Sequence, residues 1–269
     1  MRQVCSTALA AIIAAVVFTA PASAEDPLGT IRSFCRIDGA GVRLSPASWR
    51  QVANIVDWRL EPAWDHIKVI YGYEITTPHR DGDRITAEIT YYIAADVRAG
   101  AVTKRRRTET EALDLVRYGE HMWRIHGPPP LPHVFDYVVD MAELAELLKP
   151  ESKQYQSASA LIWNHLSDQG WDIPYESTEA IPASTHFEEV ATAGPGDIAV
   201  YFTGATAYHV GVVESEETVL SATLNAGPVE APFAAFSGTV RYWRPKHLSD
   251  GESAETKSAR KAISPQRRN

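Results

Sequence analysis

The stretch Gly194-Pro-Gly-Asp-Ile-Ala-Val-Tyr-Phe202, with Ala207-Tyr-His-Val-Gly-Val-Val213 close behind it, decides how the second half of this chain is read. A Gly-Asp turn leads into a strand of apolar residues, and a second strand carries His209 near its start. Gly211, two residues after the histidine, suits close packing of that strand against another element. Upstream, Ala158-Ser-Ala-Leu-Ile-Trp163 opens a helix, and Gly170-Trp-Asp-Ile-Pro174 follows it. Downstream, Val219–Thr223 and Arg241–Pro245 read as further strands.

In that order these segments resemble the papain-like cell-wall hydrolases of the NlpC and CHAP type, over Ser152 to Lys246. The family helix reads roughly Cys-Ser-Gly-Leu-Val-Trp, with Gly-x-x-x-Pro about a dozen residues on. A cysteine at a helix N-terminus is held as thiolate by the helix dipole, and a histidine on the facing strand serves as its base. The resemblance puts Ala158 at the cysteine position, with Ser157 and Ser159 on either side, and His209 at the histidine position. The third residue, which orients the imidazole, falls at Ser221, or at Asn225 if the loop shifts. Trp163 and Tyr208 would line the cleft with His209. The resemblance thus implies a degenerate hydrolase that has lost its nucleophile and binds a peptidoglycan peptide or an envelope protein. The alternative is an active amidase or peptidase that uses Ser157 or Ser159 with His209. Neither reading calls for a cofactor.

The first half reads as an α+β unit. Asp26-Pro27 starts a helix through Ile31, Phe34 and Cys35, and Ser45-Pro46 starts a second through Trp49, Val52, Ile55 and Val56. Strand patterns follow over 67–76, 84–94 and 103–117, with a turn at Asp81-Gly82 and a closing Trp123-Arg-Ile125 strand. The element order resembles the cone-shaped, nuclear transport factor two-like fold. That fold hosts isomerases, dehydratases and interaction domains, and it implies no single function. Lys104-Arg-Arg-Arg107, followed by Glu109 and Glu111, reads as a charge-mixed, solvated strand.

The remaining signals concern the ends, the boundaries and the partners. Arg2, the apolar run Ala8–Phe18 and Ala22-Ser-Ala24 form a secretory signal pattern, cleaved after Ala24, which implies a periplasmic or secreted protein. No segment approaches the apolar length of a membrane span. The expected division is a signal at 1–24, the cone-shaped unit at 25–134, the papain-like unit at 135–248 and a disordered tail at 249–269. Pro128-Pro-Pro-Leu-Pro132 marks the boundary, and Asp136–Leu148 reads as an amphipathic helix. The net charge of −8 argues against nucleic acid and anionic membrane surfaces as partners. Once Cys5 leaves with the signal, Cys35 is the lone cysteine and reads as buried. His121, His126 and His133 do not have zinc-ligand spacing.

Overall fold

The computed structural model describes residues 26–120 and 122–246. The signal pattern at 1–24, His121 and the tail at 249–269 lie outside the described residues. The fold is α+β, with helices packed on two largely antiparallel sheets. Among the described residues, no helix is long and apolar enough to cross a membrane.

The first unit begins with helix α1 (Pro27–Gly39), where the Asp26 side chain accepts from the N–H groups of Leu28 and Gly29. The second expected helix is split: Ser45 precedes a 3₁₀ turn (Pro46–Ser48), and α2 (Trp49–Ala53) is short. Ser45 makes no side-chain capping bond, so the residue order that suggested a long helix lacks the contact that would have started one. The sheet that follows comprises β1 (His66–Ile75), β2 (His79–Asp81), β3 (Arg84–Arg98), β4 (Ala101–Tyr118), β5 (Met122–His126) and β6 (His133–Phe135). Its order is β5-β4-β3-β1-β6, with β2 beside β3 and only β6 parallel to its neighbour. Register shifts at Val69/Ile70 and Ile70/Gly72 in β1, and at Ile93/Ala95 in β3, bend the sheet. The bend gives it two cores. Ile70, Ile89, Tyr91 and Leu115 pack against Ile31, Phe34 and Cys35 of α1. Ile67, Val69, Ala95 and Val97 pack against α3 (Met141–Leu147).

The helix expected from Asp136 therefore starts later, at Met141, because the Asp140 side chain accepts from the N–H groups of Ala142 and Glu143. Residues 133–135 before it are pulled into the first sheet by β1. The proline run is held along that sheet as well: Pro130 O accepts from Arg43 Nη2 at 2.7 Å, and Pro132 O from Lys68 N at 3.0 Å.

The second unit places α4 (Ala158–Asp168) on a sheet of β7 (Phe187–Val190), β8 (Ile198–Thr203), β9 (Thr206–Val213), β10 (Thr218–Thr223), β11 (Gly227–Pro232) and β12 (Thr239–Pro245). The strand order is β11-β10-β9-β8-β12-β7. The Gly-Asp turn ahead of β8 is closed by Asp197. Its carboxylate accepts from Gly194 N at 2.7 Å and takes two bonds from Arg244 at 2.8 Å each. Gly211 is required by its neighbour β10: a Cβ there would lie 2.4 Å from Val219 Cγ2 and 2.8 Å from Leu220 O.

A strap, residues 59–65, ties the two sheets together. Ala63 N donates to Ala222 O, Leu224 N to Glu61 O, and Ala158 N to Ala63 O. Beneath it lies Arg43, fully buried. Arg43 Nε and Nη2 bond Glu61 Oε1 at 3.0 and 2.7 Å, and Nη1 bonds Asp38 at 3.2 Å. The indole N–H groups of Trp58 and Trp64 also donate to Glu61, each at 2.8 Å. Burial raises the Glu61 pKa and Arg43 opposes it. Four N–H bonds converge on this carboxylate, but burial outweighs them and the net shift is upward.

Candidate functional site

Strand alternation decides where His209 points. In β8–β9 pairing, Val200 faces Val210 and Tyr201 faces His209, and paired residues share a face. Val200, Val210 and Val212 form one core with Ala158, Ile162 and Leu166 of α4. His209 lies on the other face, where its ring packs 4.2 Å from Phe236 and 5.8 Å from Tyr201. Tyr208 joins this second face because the register shifts beside Phe202, and its hydroxyl donates to Ser237 O. Ala158 and His209 therefore do not look at each other across a cleft, as the resemblance to cell-wall hydrolases implied.

The imidazole is buried, at 1% exposure. Ser221 Oγ lies 2.9 Å from His209 Nε2 and 2.6 Å from Val210 O. A hydroxyl has one proton, and a carbonyl can only accept. Ser221 therefore donates to Val210 O, and His209 Nε2–H donates to Ser221. Ser221 thereby fixes one edge of the imidazole. The other nitrogen, Nδ1, is buried with no hydrogen-bond partner. Burial holds the His209 pKa down to about 3, so the ring is neutral at physiological pH. A base with so low a pKa, sealed from solvent, is poorly suited to activate a nucleophile.

The expected serines serve other partners. Ser157 is the N-cap of α4, with Oγ accepting from Ala160 N at 3.2 Å. Ser159 donates to Asp65 Oδ2 at 2.7 Å and meets Tyr175 OH at 2.7 Å. Asp65 also accepts from Thr178 N at 2.7 Å, so it binds the strap to α4 and to the loop after it. Burial and the Asp65 charge raise the Tyr175 pKa, which keeps the phenol protonated as a donor. Asn225 does not orient His209. Its Oδ1 accepts from Glu61 N and its Nδ2 donates to Arg59 O, which clamps the strap. Trp163 stands on α4, edge-on to Tyr175 at 6.1 Å, while Tyr208 packs with Trp64 and Tyr201. Cys35 is buried 4.0 Å from Tyr91 OH, and burial with the Asp38 charge pushes its pKa up to about 12.

Sequence reasoning missed the strap and a charged pocket where the two units meet. The pocket has a volume of about 370 Å³, and its walls include His66, Lys68, Asp96, Arg98, Arg105 and Glu179. Both ring nitrogens of His66 face carboxylates, Asp96 Oδ1 and Glu179 Oε1, at 2.9 Å each. Nδ1 also lies 3.1 Å from Arg98 Nη2, so the ring sits between two carboxylates and a guanidinium. Burial pulls the His66 pKa down, but the two carboxylates outweigh it and the net shift is upward. Arg107 doubly bonds Asp96 at 2.6 and 2.9 Å, and Arg98 pairs with Glu179 at 2.7 Å. Lys68 joins Glu109 and Glu111 at 2.6 and 2.7 Å. The basic strand is thus only partly solvated: Arg107 and Glu109 turn inward to this network, while Arg105 stays exposed at the rim. Two signals in the sequence pointed here. Trp58, Glu61 and Trp64 repeat at intervals of three in a segment without strand or helix period, and Asp65-His66 opens the first strand.

Among the described residues, no group of three or more His, Cys, Asp or Glu side chains is placed to hold a metal ion. Compared with known proteins, the chain matches no protein-family profile and no curated protein sequence.

Proposed function

We propose that this is an exported, non-catalytic cell-envelope protein that binds a peptide or an envelope partner. In this reading a cone-shaped, nuclear transport factor two-like unit precedes a degenerate papain-like unit of the NlpC or CHAP type. The observation that carries the loss of catalysis is the orientation of His209. It lies on the sheet face away from α4, neutral and sealed among Tyr201, Tyr208 and Phe236. The alternative amidase or peptidase would need Ser157 or Ser159 at His209, but these hydroxyls are bound to the start of α4 and to Asp65.

The charged pocket suits a ligand that carries both charges. Its size lies in the range of about 300–1,000 Å³ typical of small-ligand sites. Arg105 is exposed there with no ion pair among the described residues, and its guanidinium can take a carboxylate in two parallel bonds. A peptidoglycan stem peptide has carboxylates and an amine. Calorimetric titration of the protein with purified stem peptide should show saturable binding that weakens on Arg105→Ala. A peptidoglycan-release assay should show no hydrolysis above background. Hydrolysis that disappears in His209→Ala would refute this reading.

A further inference from the structure

Strand β4 is longer than the strand beside it. β5 pairs only with Asp114–Tyr118, so along residues 101–113 the edge of β4 away from β3 carries no strand among the described residues. The direction of the backbone on that edge follows from Ile125. Its N–H donates to Ile55 O and its C=O accepts from Asp57 N, so both groups point away from β4. Ile125 lies opposite Leu115. Theirs is therefore a pair without mutual hydrogen bonds, and the backbone groups of Leu115 turn toward β3. The other end of β4 agrees: Arg98 and Ala101 close a two-residue turn, which points Ala101 at β3. Both residues are odd-numbered, so the even-numbered residues between them send their N–H and C=O groups outward. Lys104, Arg106, Thr108, Thr110 and Ala112 are exposed, and no hydrogen bond from outside the sheet reaches their backbone among the described residues.

One half of this edge is basic. Lys104 and Arg106 lie on the same face, two residues apart, with no ion pair among the described residues. Arg106 is held in place: its Cζ lies 5.6 Å from the centre of the Tyr71 ring, which stacks on Tyr92 at 5.7 Å and 26°. The acidic residues of the strand do not cancel this charge. Glu109 and Glu111 lie on the opposite face, where Lys68 pairs with both and Arg107 with Glu109. Thr108 and Thr110 continue the exposed face, and Glu88 lies opposite Ala112, at the far end from Lys104.

We propose that this edge takes up an extended peptide that carries two carboxylates at alternate positions. An unpaired edge is a template for another strand, and cationic residues on it deter a basic strand and admit an acidic one. A strand added to β4 places its side chains directly opposite those of β4. The Cα atoms lie about 5.5 Å apart where the two residues exchange hydrogen bonds. Carboxylates opposite Lys104 and Arg106 meet both cations. A guanidinium already fixed over Tyr71 loses little freedom on donating two parallel bonds to one of them. Backbone bonds supply the affinity, and the two cations set the charge preference and the register. This inference rests on the outer edge of β4. It does not involve His209, and Arg105, which lines the charged pocket, lies on the other face.

The test is calorimetric titration of the full chain with the blocked nonapeptide Thr-Val-Thr-Val-Thr-Val-Glu-Val-Glu, with its reverse for a parallel strand, and with counterparts carrying lysine for both glutamates. Oligothymidylate serves as an unrelated polyanion, and sedimentation without peptide reports self-association. One glutamate peptide should bind saturably, and its lysine counterpart at least about tenfold more weakly. N-methylation of the threonine and glutamate nitrogens, which face β4, should abolish binding, whereas N-methylation of the valines should not. Thr108→Pro removes an N–H that bonds nothing within the chain. It should weaken the peptide at least about tenfold and keep the native circular dichroism. Lys104→Ala combined with Arg106→Ala alters only exposed side chains and should remove the preference for glutamate over lysine. The proposal is overturned by equal binding of the glutamate and lysine peptides, or by affinity indifferent to the site of N-methylation. It is overturned as well by oligothymidylate that displaces the peptide, by self-association that Thr108→Pro abolishes, or by no saturable binding in either direction.

Discussion

Lowering the pH from about 7 to about 5 should destabilise the folded chain by about 2 kcal/mol through His209 alone. The unfolded imidazole takes up a proton near its ordinary pKa of 6.5, whereas burial keeps the folded one neutral down to about 3. The unfolded state therefore binds more protons throughout this window, and stability falls with falling pH by about 1.4 kcal/mol per unit once the unfolded group is protonated. The perturbation is His209→Gln, whose amide can still donate to Ser221 but does not titrate. Urea unfolding of both proteins at the two pH values gives a double difference in which the carboxylates common to both cancel. The variant should lose about 2 kcal/mol less than the wild type on acidification. Equal losses would refute the argument, and would mean that His209 is solvated enough to titrate as a catalytic base would.

Four further outcomes follow from the same contacts. His66 has the opposite sign: its folded pKa is raised by Asp96 and Glu179, so its contribution is present below the unfolded pKa and is lost as pH rises through the folded one. His66→Gln should remove this alkaline decline, as read from denaturation midpoints across the neutral range. Asp65→Ala leaves Ser159 and Thr178 N without their buried acceptor and should lower unfolding free energy by about 3 kcal/mol. Ala158→Cys should be alkylated slowly, because the site is 2% exposed, and at a rate unchanged by His209→Ala, because the two residues occupy opposite faces. Cys35, with its pKa near 12, should resist iodoacetamide in the native state and react on unfolding, as followed by mass spectrometry.

Much of the fold was legible along the chain because it is written in local periods. The two-residue alternation of Ile85, Ala87, Ile89, Tyr91 and Ile93 marks the buried face of β3. Asp26-Pro27 marks the start of α1 through a bond made within four residues. The apolar runs around Asp197 and His209 became β8 and β9, with the Gly-Asp turn closed by its own carboxylate. The lone Cys35 was also readable as buried, since its apolar neighbours recur at helical spacing.

The site was not legible in this way, because a motif gives the order of residues but not the side of a sheet. Tertiary structure decided that α4 covers the face of Val200 and Val210, which leaves His209 on the other one. It also decided that Ser159 meets Asp65, 94 positions earlier, and that Asn225 clamps Glu61, 164 positions away. No local period encodes such pairs. The sequence alone determined where β3, β8 and β9 run and where α1 starts, through alternation and contacts between near neighbours, but not the split of the helix at Pro46 or the late start of α3. The burial of Arg43 beneath the strap, the raised pKa of His66 and the neutrality of His209 were set only when distant segments removed water from these groups and supplied, or withheld, their partners.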